Sequence, residues 1–136
     1  MKYSKIQYED LNPKQQERFD YQKVSAVLAD FGFITIALSD DWNGADFLAM
    51  HCDGDTLKVQ LKGRMTFDKK YFGKDLYICF RDEHQWYLYP HDLLFAKVSS
   101  LVSMVESKSW NGEGRYSFPR LSEQHKSLLV EYKIAS

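Results

Sequence analysis

Three polar residues in the first half of the chain, Asp46, Gln60 and Lys62, have side chains that could bind a divalent cation and a phosphate group. Carboxylate and amide oxygens suit Mg²⁺, and an ammonium group attracts phosphate oxygens. Apolar and polar residues alternate across 57–63, which predicts a strand with Gln60 and Lys62 on its polar face. Asp46 opens the preceding apolar run, and Asp53-Gly54-Asp55 is a turn that would fold this run back against the strand. We therefore expect the three side chains to converge.

Each of the three residues also has an ordinary structural interpretation. Lys62 could guard an exposed strand edge, where lysine opposes aggregation. Gln60 could simply face solvent, and Asp46 could cap a turn. A shared site accounts for all three positions at once, and the sequence favours it for that reason.

The order Asp46, then Gln60-Leu61-Lys62 on the next strand, resembles the active-site motif of the PD-(D/E)XK nuclease superfamily. Its Gln form is similar to that of modification-dependent restriction endonucleases of the Mrr type. The resemblance runs from about Glu17 to Asp92. Ala45 stands where the motif name has Pro, and Gln60 stands where it has an acid. The resemblance implies a restriction endonuclease-like fold of the α/β or α+β class, with a central mixed β-sheet flanked by helices.

The resemblance also implies a role for each residue. Asp46, Gln60 and Lys62 would be the catalytic residues of a Mg²⁺- or Mn²⁺-dependent endonuclease that hydrolyses phosphodiester bonds, with DNA as the expected substrate. Asp46 would anchor the cation, Gln60 would add a neutral carbonyl oxygen, and Glu17 or Asp20 would supply a second carboxylate. Lys62 would hold the attacking water or stabilise charge on the phosphate.

The acidic residues Glu17 and Asp20 fall in a helix predicted over about 13–30. Asn12 and Gln15 can form a capping box around Pro13 at the start of this helix. The apolar stripe of the helix, projected towards its N-terminus, passes through both acids, and it consists of Val24, Val27, Leu28 and Phe31. The acids could favour the helix dipole and stay in water, or one of them could complete a metal site. The residues alone leave both interpretations open.

Basic residues are concentrated after the predicted strand, in a segment that is expected to be a loop. Between residues 58 and 74, Asp68 is the one acid among Lys58, Lys62, Arg64, Lys69, Lys70 and Lys74. Such a segment is often only a solvated loop. If the chain binds nucleic acid, Arg64, Lys69, Lys70 and Lys74 would contact phosphates, and Tyr71 or Phe72 would stack on bases or sugars.

The remaining hydrophobic patterns predict an α+β arrangement of strands and helices. Strands are expected at 33–38, 47–52, 57–63, 76–80 and 86–90, and a loop at 39–44. Asp92 is expected to cap a helix with apolar positions at Leu94, Val98, Leu101 and Val105. A loop over 108–116 and a final helix over about 122–132, which docks through Leu128 and Leu129, complete the chain. One mixed sheet covered by helices accommodates this order.

Composition limits the other possibilities. With 136 residues the chain is expected to form one domain, residues 1–136, and its net charge of −1 means that nucleic-acid binding would need a local basic patch. No signal peptide or membrane-spanning run is apparent, so a cytoplasmic protein with no membrane contact is expected. Cys52 and Cys79 suit reduced thiols. The four histidines lack the spacing of a zinc site or a hydrolase triad.

Two alternatives to an active nuclease stay open at this stage. The neutral Gln60 favours a catalytically weak or inactive nucleic-acid-binding protein on the same fold. The aromatic strands could instead belong to a protein-interaction module. A single site cuts one strand, so double-strand cleavage would need a homodimer or two binding events, although no dimerisation segment is evident.

Overall fold

Four α-helices and eight β-strands make up the part of the chain that the computed structural model describes, which is residues 1–100 and 106–135 without the side chains of 41, 42 and 135. The helices are α1 (Pro13–Ala29), α2 (His91–Val98), α3 (Lys108–Gly112) and α4 (Glu123–Leu129). The strands are β1 (Phe33–Trp42), β2 (Ala45–His51), β3 (Thr56–Leu61), β4 (Met65–Asp68), β5 (Leu76–Asp82), β6 (Gln85–Pro90), β7 (Arg115–Phe118) and β8 (Lys133–Ala135).

Six of the strands form a mixed sheet in the order β1-β2-β3-β5-β6-β8. Neighbouring strands are antiparallel except for the central pair β3 and β5, which is parallel. Strands β4 and β7 form a second, two-stranded antiparallel sheet. The predicted α+β class with a mixed sheet flanked by helices is thereby confirmed.

Helix α1 covers one face of the large sheet and begins at the predicted residue. Asn12 Oδ1 accepts a hydrogen bond from the Gln15 N–H at 2.8 Å, and Gln15 Oε1 accepts from the Asn12 N–H at 3.0 Å, which completes the capping box. Val24 and Leu28 are fully buried against a cluster that includes Phe47, Ala49, Val59 and Cys79. Phe31 lies beyond the end of the helix and is 46% exposed, so it does not belong to the apolar stripe.

A larger apolar cluster covers the opposite face of the sheet. It joins Ile78, Phe80 and Tyr89 of the sheet to Phe67 of β4 and Leu94 of α2, with further residues from β7, α3 and α4. The β4–β7 pair and these helices therefore form the second covering layer. Among the described helices, none combines the length and the apolar character needed to cross a membrane.

The structure corrects the prediction of a loop at 39–44. Strand β1 continues to Trp42, and Asn43 and Gly44 alone form the connection to β2, with Trp42 paired to Ala45. Both turn residues have positive φ, 52° and 86°, which matches the two-residue turn that suits the twist of a hairpin. The polar Ser39-Asp40-Asp41 stretch is typical of a loop, but an edge strand can also carry such residues on its solvent side.

The predicted basic loop and the predicted loop over 108–116 are also wrong in part. Residues 65–68 form the buried strand β4, and the later segment supplies α3 and β7. Met65 pairs with Phe118, and Asp68 pairs with Arg115. Local sequence patterns do not reveal this pairing, because the two strands are far apart in the sequence. Strand β8 was likewise missed.

The second predicted helix begins at His91, and its N-cap is Pro90. Asp92 lies in the first turn and does not cap the helix, which corrects its expected role. Leu94 and Val98 are buried as expected, whereas Leu101 and Val105 lie outside the described residues. The final helix ends at Leu129, followed by a short 3-10 turn, Val130–Tyr132.

Candidate active site

A cleft of about 490 Å³ opens at the end of the sheet where β2 begins and β3 ends, beside the first turns of α1. Its lining includes all five residues predicted for catalysis and metal binding, namely Glu17, Asp20, Asp46, Gln60 and Lys62. The antiparallel β2–β3 hairpin supplies the last three. The fold therefore brings these five residues to the lining of one cleft.

Asp46 is held in place by the backbone of the neighbouring strand. The ladder between β2 and β3 ends at the pair Phe47 and Val59, and one residue further the Asp46 Oδ2 accepts a hydrogen bond from the Leu61 N–H at 2.8 Å. The carboxylate thus continues the pairing where the strands separate. Gly44, in the turn before β2, has a φ of 86°, and a Cβ there would lie 2.6 Å from Leu76 Cδ1, so a larger residue would not fit at this position.

Gln60 places an unpartnered acceptor in the cleft. Its Oε1 is buried and has no hydrogen-bond partner among the described residues. A buried acceptor without a partner costs about 1–3 kcal/mol, so such atoms in folded proteins usually meet water, an ion or a ligand. An amide oxygen can coordinate a hard cation.

Lys62 is half-buried in the cleft. Its backbone N–H donates to the Cys79 carbonyl at 2.8 Å, which extends the pairing of β3 with β5 by one residue. Its Nζ lies 5.7 Å from the centroid of the Tyr71 ring. Burial lowers the pKa of Lys62, and the positive charge of Lys70 lowers it further, while the Asp46 carboxylate acts in the opposite direction. Burial therefore makes this amine a better proton donor than an exposed lysine.

The two acids of α1 differ in what they contact. Asp20 Oδ2 accepts a hydrogen bond from the Tyr8 hydroxyl at 2.7 Å, and Oδ1 lies 3.8 Å from the Arg81 guanidinium. Burial, followed by the hydrogen bond to Asp20, raises the pKa of Tyr8 to about 12. Glu17 is exposed and forms no hydrogen bond or ion pair with a described residue. Glu17 is therefore the exposed acid of the α1 pair, whereas Asp20 contacts the N-terminal segment through Oδ2 and keeps a buried Oδ1 that has no hydrogen-bond partner among the described residues.

Three charged residues that line the cleft were not singled out in the sequence. Lys14 and Arg18 flank Glu17 on α1, and Asp40 approaches from β1. Lys14, Glu17, Arg18 and Tyr21 recur at helical spacing, and this signal could have identified the first two. Asp40 falls in the segment predicted as a loop, because the extension of β1 that carries it to the cleft is not evident from the sequence.

The donor atoms of the cleft suit a hydrated divalent cation. Among the described residues, no three His, Cys, Asp or Glu side chains lie close enough together to hold a metal ion. Asp46 and Gln60 nevertheless supply oxygen donors of the kind that Mg²⁺ prefers, with Glu17 on the same cleft, and Mg²⁺ usually keeps several of its waters. Two buried oxygens of the cleft, Gln60 Oε1 and Asp20 Oδ1, have no hydrogen-bond partner among the described residues and fit this group.

The predicted nucleic-acid contacts occupy different environments. Arg64, Lys69, Lys70 and Lys74 are exposed. Tyr71 is only 2% exposed, so its ring is not presented for stacking, whereas the neighbouring Phe72 is 36% exposed. Tyr71 instead packs in the large core and supports the ammonium of Lys62.

Comparison of the chain with family models, curated proteins and solved structures gave no match in any of the three. The residues of the cleft are therefore the basis for assigning a function. Its chemistry is that of oxygen donors and a half-buried lysine gathered at the end of a sheet.

Proposed function

We propose that the chain is a metal-dependent nuclease that hydrolyses phosphodiester bonds, with DNA as its substrate. The observation that carries this proposal is the buried, unpartnered Gln60 Oε1 in the same cleft as Asp46 and Lys62. A buried acceptor without a protein partner has a cost in folding free energy, and binding of a cation in the cleft would offset that cost.

The chain's own residues would act on the substrate in distinct ways. The Lys62 ammonium, supported by the Tyr71 ring, would donate to a nonbridging phosphate oxygen or orient the attacking water. Its lowered pKa favours transfer of a proton to the departing oxygen. Lys14 and Arg18 lie on the same cleft and could position neighbouring phosphates.

Mg²⁺ or Mn²⁺ would be held by Asp46, Gln60 and Glu17. When bound, such a cation lowers the pKa of a coordinated water and neutralises charge on the phosphate. One carboxylate oxygen of Asp46 accepts a hydrogen bond from the Leu61 N–H, which fixes the orientation of the carboxylate before a ligand binds.

The test is incubation of the purified protein with supercoiled plasmid, linear DNA and branched DNA, with Mg²⁺, Mn²⁺ or a chelator. We expect cleavage that requires the divalent cation and is lost in Lys62→Ala. Lys58→Ala is the matched control, because Lys58 projects from the same face of β3 but does not line the cleft. Undiminished cleavage by Lys62→Ala would exclude this cleft as the active site.

A nucleic-acid-binding protein without catalysis is the second candidate. Gln60 adds no charge, Asp20 is already engaged by Tyr8 and Arg81, and the described residues lack a cluster of three acidic or metal-binding side chains. Salt-dependent DNA binding without cation-dependent cleavage would favour this candidate over the nuclease.

A further inference from the structure

A second cavity, of about 380 Å³, lies on the small β4–β7 sheet. One side is formed by the 3-10 turn Lys69–Tyr71 that follows β4, and the other by the connection between α3 and β7. Its lining contains three cations, Lys69, Lys70 and Arg115, and two acids, Asp68 and Glu113. The cavity is therefore a charged surface feature distinct from the cleft.

The backbone holds these cations in defined positions. Asp68 pairs with Arg115 across the β4–β7 ladder, and the Lys69 N–H donates to the Gly114 carbonyl at 2.7 Å. The Lys69 Nζ lies 5.2 Å from the centroid of the Trp110 ring. Gly114 has a φ of 77°, and a Cβ there would lie 3.4 Å from Lys69 Cδ, so a side chain at this position would be strained.

The acids of the cavity leave its cations accessible. Lys70 Nζ lies 3.9 Å from Asp68 Oδ2, and Arg115 Nε lies 3.4 Å from Glu113 Oε2. The Arg115–Glu113 pair is exposed on both sides and contributes little, and the exposed Lys70 ammonium lies at the limit of ion-pair distance from the buried Asp68, so a phosphate can compete for both cations. The contact to Glu113 uses Nε, and the terminal nitrogens of Arg115 have no partner among the described residues. A guanidinium with terminal N–H groups available is suited to bind a phosphate.

Tyr71 connects this cavity to the cleft. The Lys62 Nζ lies 5.7 Å from the centroid of its buried ring, and the Lys70 Nζ lies 5.4 Å from the same centroid. Lys62 lines the cleft, and Lys70 lines the second cavity. The cations thus form a path from the catalytic lysine to the β4–β7 sheet.

We propose that the nucleic-acid strand cleaved in the cleft continues from Lys62 past Lys70 into the second cavity, where Lys69, Lys70 and Arg115 bind the phosphates that flank the scissile one. The inference rests on the proposed function, since it takes a nucleic-acid strand as the ligand of the cleft. Arg115, which is distant in sequence from the basic segment, becomes a substrate-binding residue.

The first test measures binding of fluorescently labelled single-stranded and duplex DNA in chelator, over a series of salt concentrations. We expect Lys70→Ala and Arg115→Ala each to weaken binding by about two- to fivefold, the range of an exposed ion pair. Each should also reduce the magnitude of the salt slope by about 1. Lys133→Ala and Arg120→Ala are the matched controls, because both residues are exposed and neither lines the cleft or the second cavity. Variants that bind like these controls would overturn the inference.

The second test compares cleavage of a long DNA strand with cleavage of bis(p-nitrophenyl) phosphate, a diester too small to extend beyond the cleft. We expect Arg115→Ala to lose more kcat/KM on the long strand than on the small diester, mainly through KM. Equal losses would mean that Arg115 acts through the cleft, and would overturn the inference. Thermal unfolding of each variant confirms that it is folded.

The two tests also separate this inference from the proposed function. DNA binding that depends on Lys70 and Arg115, without any cleavage, would contradict the nuclease and support the binding path. Cleavage that depends on Lys62 but not on Lys70 or Arg115 would support the nuclease and overturn the path. Absence of both binding and cleavage would overturn both.

Discussion

Asp46 Oδ2 accepts a hydrogen bond from the Leu61 N–H at 2.8 Å, at the point where β2 and β3 separate. This bond joins the second residue of β2 to the middle residue of the Gln60-Leu61-Lys62 triplet. It orients the carboxylate relative to the two side chains that flank Leu61. The hairpin is therefore both the structural anchor and the geometric basis of the proposed site.

Replacement of Asp46 by Asn should separate these two roles. The Asn side chain can still accept from the Leu61 N–H, so the free energy of unfolding should fall by only about 1 kcal/mol. The loss of the carboxylate charge should reduce kcat for DNA cleavage by at least about 100-fold. Urea unfolding and steady-state cleavage measure the two effects. Retention of cleavage in Asp46→Asn would contradict the role of Asp46 in cation binding.

Gln60→Leu should stabilise the protein while inactivating it. The substitution removes a buried acceptor that has no described partner, so the free energy of unfolding should rise by up to about 1–3 kcal/mol. Cleavage should be lost, because the oxygen donor is gone. Gln16→Leu provides a contrast, since Gln16 Nε2 donates to the Tyr8 carbonyl at 3.2 Å and its removal should destabilise. A clear loss of stability in Gln60→Leu would argue that its oxygen is satisfied.

Glu17 and Asp20 should respond differently to neutral substitutions. Glu17→Gln should lower cleavage and the affinity for Mn²⁺, with little effect on stability, because Glu17 is exposed. Asp20→Asn should lower stability by about 1 kcal/mol, since it weakens the contacts to Tyr8 and Arg81. Tyr8→Phe should destabilise the protein in the same way as Asp20→Asn. If Glu17→Gln alone destabilised the protein, Glu17 would be the structural acid and Asp20 the ligand-binding one. Calorimetric titration of Mn²⁺ and thermal unfolding provide the measurements.

His91 predicts a dependence of stability on pH. The imidazole is fully buried, with Nε2 accepting from the Asp68 N–H at 3.0 Å and Nδ1 lying 2.8 Å from Asp92 Oδ1. Burial lowers the pKa of His91 below the ordinary value of 6.5, although the Asp92 carboxylate partly opposes this. The unfolded chain then binds a proton at a higher pH than the folded protein. The stability contribution is therefore complete above about pH 6.5 and is lost as the pH falls towards the lowered value.

Urea unfolding between pH 5 and pH 8 would measure this effect, with the slope reduced in His91→Phe. His125 contributes in the same direction, because burial lowers its pKa as well, so His125→Phe should also flatten the profile. If the free energy of unfolding of the wild-type protein does not decrease as the pH is lowered from 6.5, both assignments are contradicted.

Local patterns in the sequence were sufficient for the elements that position the site. The capping box at Asn12 and Gln15, the alternation across β3 and the turn at Gly54 all depend on neighbouring residues, because short-range hydrogen bonds and side-chain periodicity define them. For the same reason, the face shared by Gln60 and Lys62 could be predicted from their separation of two residues.

Only the tertiary structure decided the choices that depend on distant partners. Tyr8 and Arg81 engage Asp20 and leave Glu17 open to the cleft, and neither partner is close to Asp20 in sequence. The pairing of β4 with β7 buries a segment that looked like a basic loop and brings Arg115 beside Lys70. Such contacts form because separate segments bury apolar surface against one another, and that pairing energy is not encoded in the composition of either segment alone.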